Sequence, residues 1–171
     1  VKFHFKGITA HAGGDPQNGR SALDALEIMN VGANFLREHV TDDVRIHYAI
    51  TETGTAPNVV PDKATVWYYV RALTRGAVED TYTRLVKVAQ GAALMTETQV
   101  EIEFLGGCYD SMNNMQLANL VLSTMKELGT PEWTEDEIAF AKEVDKDSAN
   151  FNSFVKMGMI DENTHIANNI L

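Results

Sequence analysis

Hydrophobic positions along this chain switch between a period of two and a period near 3.6 residues, the signatures of half-buried strands and amphipathic helices. Residues 1–8 alternate, with Val1, Phe3 and Phe5 on one side and Lys2, His4 and Lys6 on the other, which predicts a strand. A loop rich in Gly, Pro and Asn follows from Ala10 to Gly19. From about Arg20 to Val40 the stripe Ala22, Leu26, Met29, Ala33, Leu36 and Val40 repeats at 4-3-4-3-4 spacing, which places all six on one helix face. Leu23, Ile28, Val31 and Phe35 widen that face, so this helix is expected to touch more than its own sheet.

Alternation returns three more times. Over 43–51, Val44, Ile46, Tyr48 and Ile50 share a side. Over 62–73, Ala64, Val66, Tyr68 and Val70 oppose Trp67, Tyr69 and Arg71. Over 98–105, Val100, Ile102 and Phe104 are expected inside, with Glu101 and Glu103 outside. A second helix is predicted from about Val78 to Met95, on Val78, Tyr82, Leu85, Ala89 and Ala92. The order β-α-β-β-α-β has one compact solution: an α+β, ferredoxin-like sandwich, a four-stranded antiparallel sheet with two helices on one face. Strand 43–51 then lies at an edge, where its regular alternation suits pairing across a dimer.

After Gly106-Gly107 the pattern changes. Residues 114–128 read as a helix, a Gly-Thr-Pro break covers 129–131, and Thr134 to Val144 reads as a second helix opened by a Thr134/Glu137 capping box. From Asp145 onward the sequence is polar, Asn-rich and weakly patterned. The expected organisation is one domain over 1–107, then a stretch 108–171 that belongs to another domain or folds poorly without it.

Composition narrows the partners. The 171 residues suit one domain plus a piece of another, and the net charge is −10, from 24 acidic and 14 basic residues with no basic patch. Nucleic acid and anionic membrane surfaces both need clustered positive charge, so neither is an expected partner. No apolar run approaches the roughly 20 residues of a membrane helix. The lone Cys108 excludes an intrachain disulfide and fits a reducing, cytoplasmic setting. The chain opens mid-strand without an initiator Met, which suggests a fragment of a longer protein.

A metal site needs several converging His, Asp, Glu or Cys ligands. The five histidines, His4, His11, His39, His47 and His165, form no H-x-D, H-x-x-H or HExxH motif. Neither an adjacent Glu-Glu pair nor a G-x-S-x-G nucleophile elbow is present. No metal ligands are therefore assigned in this chain, and by itself it is expected to be inactive. Three positions nevertheless invite a functional reading. His11 sits in the small-residue loop G-I-T-A-H-A-G-G-D-P, either bonded to backbone or presented to another surface. Asn58 lies between Pro57 and Pro61, either forming a turn or held toward a ligand. Arg71 closes the third strand, either covering the sheet or clamping a carboxylate.

These features also carry a resemblance. F-K-G-I-T-A-H-A-G-G-D-P-Q-N-G-R-S-A-L-D-A (5–25), R-I-H-Y-A-I-T (45–51), A-P-N-V-V-P (56–61) and Y-V-R-A (69–72) resemble, in order, the lid domain of the carboxypeptidase G, aminoacylase and succinyl-diaminopimelate desuccinylase family of metallopeptidases. G-A-A-L-M-T-E-T (91–98) and G-T-P-E-W-T-E-D-E-I-A-F-A-K (129–142) look most like its aminobenzoyl-glutamate hydrolase branch. The resemblance implies a two-domain amidohydrolase acting on an N-acyl amino acid or peptide-like small molecule. Its catalytic domain would hold two divalent metals, zinc or manganese, and its lid would make a homodimer. Every metal-ligand motif of that family is missing here, so the resemblance places the ligands before Val1 and after Leu171. It also implies that His11 stabilises an oxyanion in the partner's active site and that Asn58 and Arg71 bind substrate. The rival reading is a stand-alone oligomerisation or small-ligand-binding α/β module, which would need neither the His11 loop nor the Asn58 loop.

Overall fold

The structure is a computed structural model and describes residues 1–129 and 131–167. The chain divides into two compact units, Val1–Ser111 and a second that begins at Met112. The first unit contains strands β1 (Lys2–Lys6), β2 (Arg45–Glu52), β3 (Lys63–Arg71) and β4 (Gln99–Glu103), and helices α1 (Ala22–Leu36) and α2 (Arg75–Met95). The strands form one antiparallel sheet in the order β2-β3-β1-β4. Helix α1 packs on β1 and β3, α2 packs on β3 and β4, and the helices pack on each other. This is the expected ferredoxin-like sandwich, with β2 at an edge.

The period-two faces decide which side carries the helices. Phe3, Phe5, Ala64, Val66 and Tyr68 are buried on that side, and Phe3 pairs across the sheet with Val66 and Ile102. From above, α1 buries Ala22, Ala25, Leu26, Met29, Ala33 and Leu36. Helix α2 buries Thr81, Leu85, Ala89, Ala92 and Ala93. Small residues let the two helices approach closely: a Cβ added at Gly32 would lie 2.6 Å from Val88 Cγ1. Deep in the core, the Tyr68 hydroxyl donates to Asn30 Oδ1 at 2.7 Å. Burial pushes the Tyr68 phenol well above its usual range.

Local signals set the helix ends. Ser21 caps α1 by accepting from Asp24 N at 3.1 Å. Thr74 caps α2, which therefore starts at Arg75, three residues before the predicted Val78. Strand β4 ends at Glu103, so Phe104 is not inside as its alternation suggests but 59% exposed. Ile46 of β2 and Val44 just before it are buried, whereas Tyr48 and Ile50 on the same row are 40% and 44% exposed. Val31 and Phe35 of α1 are also exposed. On the face away from the helices, a hydrogen-bond chain crosses all four strands. Thr65 donates to Glu52 at 2.8 Å, His4 Nδ1 meets Thr65 at 3.0 Å, and His4 Nε2 meets Glu103 at 2.9 Å.

Among the described residues the second unit holds three helices, α3 (Met115–Leu128), α4 (Glu135–Asp145) and α5 (Phe151–Lys156). Asn114 caps α3 through Leu117 N at 3.0 Å, and the Thr134/Glu137 capping box forms on α4 as its sequence predicts. Helix α5 lies where the sequence pattern is weak and was not expected. None of the three helices has a buried residue. No helix among the described residues is long and apolar enough to cross a membrane.

Candidate functional site

The loop that carries His11 is anchored at its base. Gly7 leaves β1, its N–H donating to Asp62 O at 2.8 Å, and Ile8 and Arg20 then exchange two backbone hydrogen bonds of 2.8 Å. A Cβ on Gly7 would lie 1.9 Å from the Arg20 carbonyl oxygen, so only glycine fits this crossing. Arg20 fixes the other side, with Nε on Glu97 at 2.6 Å and Nη1 on the carbonyls of Gly19 and Gln17 at 2.7 and 3.1 Å. Asp15 accepts from the side chains of Gln17 and Asn18 at 2.8 Å each.

Above this base the His11 loop is zipped to the Asn58 loop. His11 and Val59 form an antiparallel bridge, Ala12 N donates to Asn58 O at 3.0 Å, and Val60 N donates to Ala10 O at 2.9 Å. The prolines and glycines keep the second loop tight, since a Cβ on Gly54 would lie 2.7 Å from Pro61 Cγ. His11 and Asn58, far apart in sequence, therefore stand on one exposed rim. The chain turns immediately after His11, whose carbonyl accepts from Gly14 N at 3.2 Å and Asp15 N at 2.9 Å. The imidazole folds over this turn, and its Nδ1 accepts from Gly13 N at 3.2 Å and Gly14 N at 2.9 Å.

Arg71 is placed elsewhere. Asn58 precedes β3 at its Lys63 end and Arg71 closes the strand. A nine-residue strand spans roughly 26 Å at 3.3 Å per step. One copy of the chain thus does not bring Arg71 to the same ligand as His11 and Asn58. Arg71 stands opposite Arg45 in the sheet register, and like charges so placed disfavour each other unless an anion sits between them. Among the described residues no carboxylate pairs with Arg71. Nearby, Asp43 accepts from Leu73 N at 2.9 Å, and its bonds from Thr41 and Leu73 hold its carboxyl below the usual range.

Arg71 also borders a cleft of about 750 Å³ that includes Trp67, Tyr69, Arg75, Tyr82 and Phe104. The aromatic rings touch one another: Trp67 and Tyr69 at 5.3 Å, Tyr82 and Phe104 at 6.1 Å between centroids. Arg75 is bound by Glu79 at 2.8 Å and lies over the Tyr109 ring at 5.1 Å. The sequence pattern does not reveal this cleft, because its walls come from β3, α2 and the segment after β4. Its only local signal is the alternating Trp67, Tyr69 and Arg71 on one strand face.

No group of three or more His, Cys, Asp or Glu side chains is arranged to hold a metal ion among the described residues. The residues present do not fit the two-metal centre that the resemblance implies. What the rim offers is hydrogen bonding from an imidazole and an amide; what the far end offers is a guanidinium beside aromatic walls.

The profile of the peptidase dimerisation domain matches residues 1–96, and the chain belongs to that family. Among curated relatives, one subunit of the p-aminobenzoyl-glutamate hydrolase of Escherichia coli (strain K12) is 48% identical over 145 residues, covering 84% of this chain and 30% of that protein. The indole-3-acetyl-aspartic acid hydrolase of Enterobacter agglomerans is 33% identical over 111 residues, covering 63% of this chain and 24% of that protein. The chain thus spans less than a third of the length of these relatives. A crystal structure of an aminobenzoyl-glutamate utilization protein from Klebsiella pneumoniae superposes with a TM-score of 0.63 at 26% identity, over 75% of this chain and 33% of that one. The chain is therefore a dimerisation domain from a family of hydrolases, related to aminobenzoyl-glutamate hydrolase.

Proposed function

We propose that this chain is the lid of a metal-dependent hydrolase that cleaves the amide bond of N-acyl amino acids, aminobenzoyl-glutamate among them. In this reading it pairs with a second copy and lends His11 and Asn58 to that partner's active site. The observation that carries the reading is the rim itself. Two loops distant in sequence are zipped together so that His11 and Asn58 stand side by side, exposed. A scaffold alone has no use for that pair. Arg71 lies a strand's length away, so all three could serve one substrate only if two chains build the site, with Arg71 from one and the rim from the other. The substrate class draws support from two relatives named for hydrolysing conjugates of glutamate and of aspartate. The carboxylate of an acidic amino acid suits the guanidinium of Arg71 at the edge of the aromatic cleft. The metals and their ligands belong to a catalytic part outside this chain, into which the second unit leads.

The pairing surface in this reading is the outer side of α1 and β2, where Val31, Phe35, Tyr48 and Ile50 are exposed. A second reading, in which the partner is a different lid of the same family, is motivated by the Escherichia coli hydrolase. Two differently named subunits of that enzyme are similar to this chain, at 48% and 28% identity.

In a longer enzyme carrying this lid, His11→Ala is expected to slow amide hydrolysis by about 10²–10³, roughly 2.7–4 kcal/mol, the cost of losing one oxyanion donor. Metal content should stay unchanged. Mixing the His11→Ala subunit with a subunit that lacks its general base should restore part of the activity, because one hybrid site is then complete. If heterodimers form and restore nothing, the role in the partner's site is wrong.

A further inference from the structure

The turn that follows His11 does more than reverse the chain. Its two glycine amides, Gly13 N–H and Gly14 N–H, converge on His11 Nδ1 at 3.2 and 2.9 Å. A backbone N–H can only donate, so the ring nitrogen that receives it must present a lone pair. A neutral imidazole carries one proton, and when Nδ1 is an acceptor that proton resides on Nε2. Rotating the ring by a half-turn would put a C–H where both amides point and leave them without this partner. We infer that the Gly13–Gly14 turn fixes the tautomer of His11, so that the residue presents an Nε2–H donor and cannot exchange protons through Nδ1. Gly13 and Gly14 are then positioning residues that act through His11.

The chemistry this implies is narrow. A histidine held this way can donate one hydrogen bond to a negative oxygen, but it cannot relay a proton from one nitrogen to the other. The amides, not the lack of side chains, supply the constraint. A Cβ at Gly13 would come no closer than 3.5 Å to the ring, and one at Gly14 no closer than 3.4 Å. Neither glycine has a backbone conformation that only glycine adopts. Alanine at either position therefore keeps the donor and fits, whereas proline at position 14 removes one.

The tautomer assignment stands on the loop geometry, and only its meaning for catalysis rests on the function proposed above. The test is nitrogen NMR of the 171-residue chain labelled with ¹⁵N, in mildly alkaline buffer where free imidazole is neutral. The expected spectrum shows the proton of His11 on Nε2, and a coupling across the hydrogen bond from the Gly14 amide nitrogen to Nδ1. Gly13→Ala and Gly14→Ala should preserve both signatures. Gly14→Pro should mix the tautomers and abolish that coupling, with the signals of β1 and β3 unchanged. A proton on Nδ1 in the unmodified chain, or alanine variants that lose the signature as fully as the proline variant, would overturn the inference. If Nε2–H is found while His11→Ala leaves the rate of the longer enzyme intact, the inference holds and the proposed function fails.

Discussion

Both units of this chain hold helices with side-chain caps, yet they differ in what those helices cover. Among the described residues, every buried apolar side chain lies between Phe3 and Ala93, in the first unit. In the second, α3 repeats Leu117, Leu120, Val121 and Met125 along one side, and these are 56%, 61%, 49% and 51% exposed. Caps and periodicity are enough to define a helix, but a core needs a second layer to receive the apolar stripe. In the first unit the sheet is that layer. Helix α1 shows both situations at once: Leu26 and Met29 face the sheet and are fully buried, while Val31 and Phe35 face away and stay exposed.

Truncation separates the two units most sharply. Leu85→Ala, in the core beneath α2, is expected to cost about 2–5 kcal/mol. Leu120→Ala, on the exposed side of α3, should change stability by no more than about 0.5 kcal/mol. Urea unfolding followed by fluorescence in two single-tryptophan backgrounds, Trp133→Phe to read Trp67 in the first unit and Trp67→Phe to read Trp133 in the second, reports each separately. Equal costs would mean that α3 is packed after all, and the contrast would collapse.

A smaller effect probes how the first unit holds its rim. Gly7→Ala places a methyl group 1.9 Å from the Arg20 carbonyl and should cost about 1–3 kcal/mol through forced backbone movement. Gly76→Ala, whose Cβ would meet nothing within 4 Å, is the control and should cost nothing measurable. Loss of amide protection at Ile8 and Arg20 in the first variant, and not in the second, would locate the damage at the base of the His11 loop.

The smallest expected effect is that of acid. Lys6 holds the Glu101 carboxyl below its usual range, and the Thr41 hydroxyl and Leu73 amide do the same for Asp43. In the second unit Thr134 lowers Glu137, and the Thr164 and Asn163 amides lower Asp161. A carboxylate with a depressed folded value adds stability above its unfolded pKa and loses it as pH falls through the folded one. Both units should therefore weaken on acidification below about pH 4. The second, with no buried apolar side chain among its described residues, should lose its helical signal first; a second unit that outlasts the first would contradict this.

The fold was legible because its faces alternate strictly. Phe3, Phe5, Val66 and Tyr68 follow the period-two rule and are buried where the pattern puts them. The failures have local causes. Phe104 continues the rhythm of β4, but the strand stops at Glu103, and its ring meets only the edge of Tyr82 and stays 59% exposed. Tyr48 and Ile50 obey the alternation of β2 and remain exposed, because alternation reports which side a residue faces and not whether a helix lies over it. Helix α5, six residues long, is too short for any period to register. At the rim, the sequence marked His11 and Asn58 as unusual one at a time. Their adjacency depends on pairing between distant loops, which no local pattern encodes. The separation of Arg71 from both follows from the length of β3, but the cleft beside it draws on three segments and has no sequence signature.

The reading of the rim depends on this domain pairing with a second copy through the outer side of α1 and β2. Sedimentation equilibrium of the chain across the micromolar range decides that point, comparing the unmodified protein with Phe35→Asp and Ile50→Asp. The expected result is a concentration-dependent dimer that each substitution shifts toward monomer, with circular dichroism unchanged. A monomer throughout that range, or a dimer indifferent to both substitutions, would contradict it.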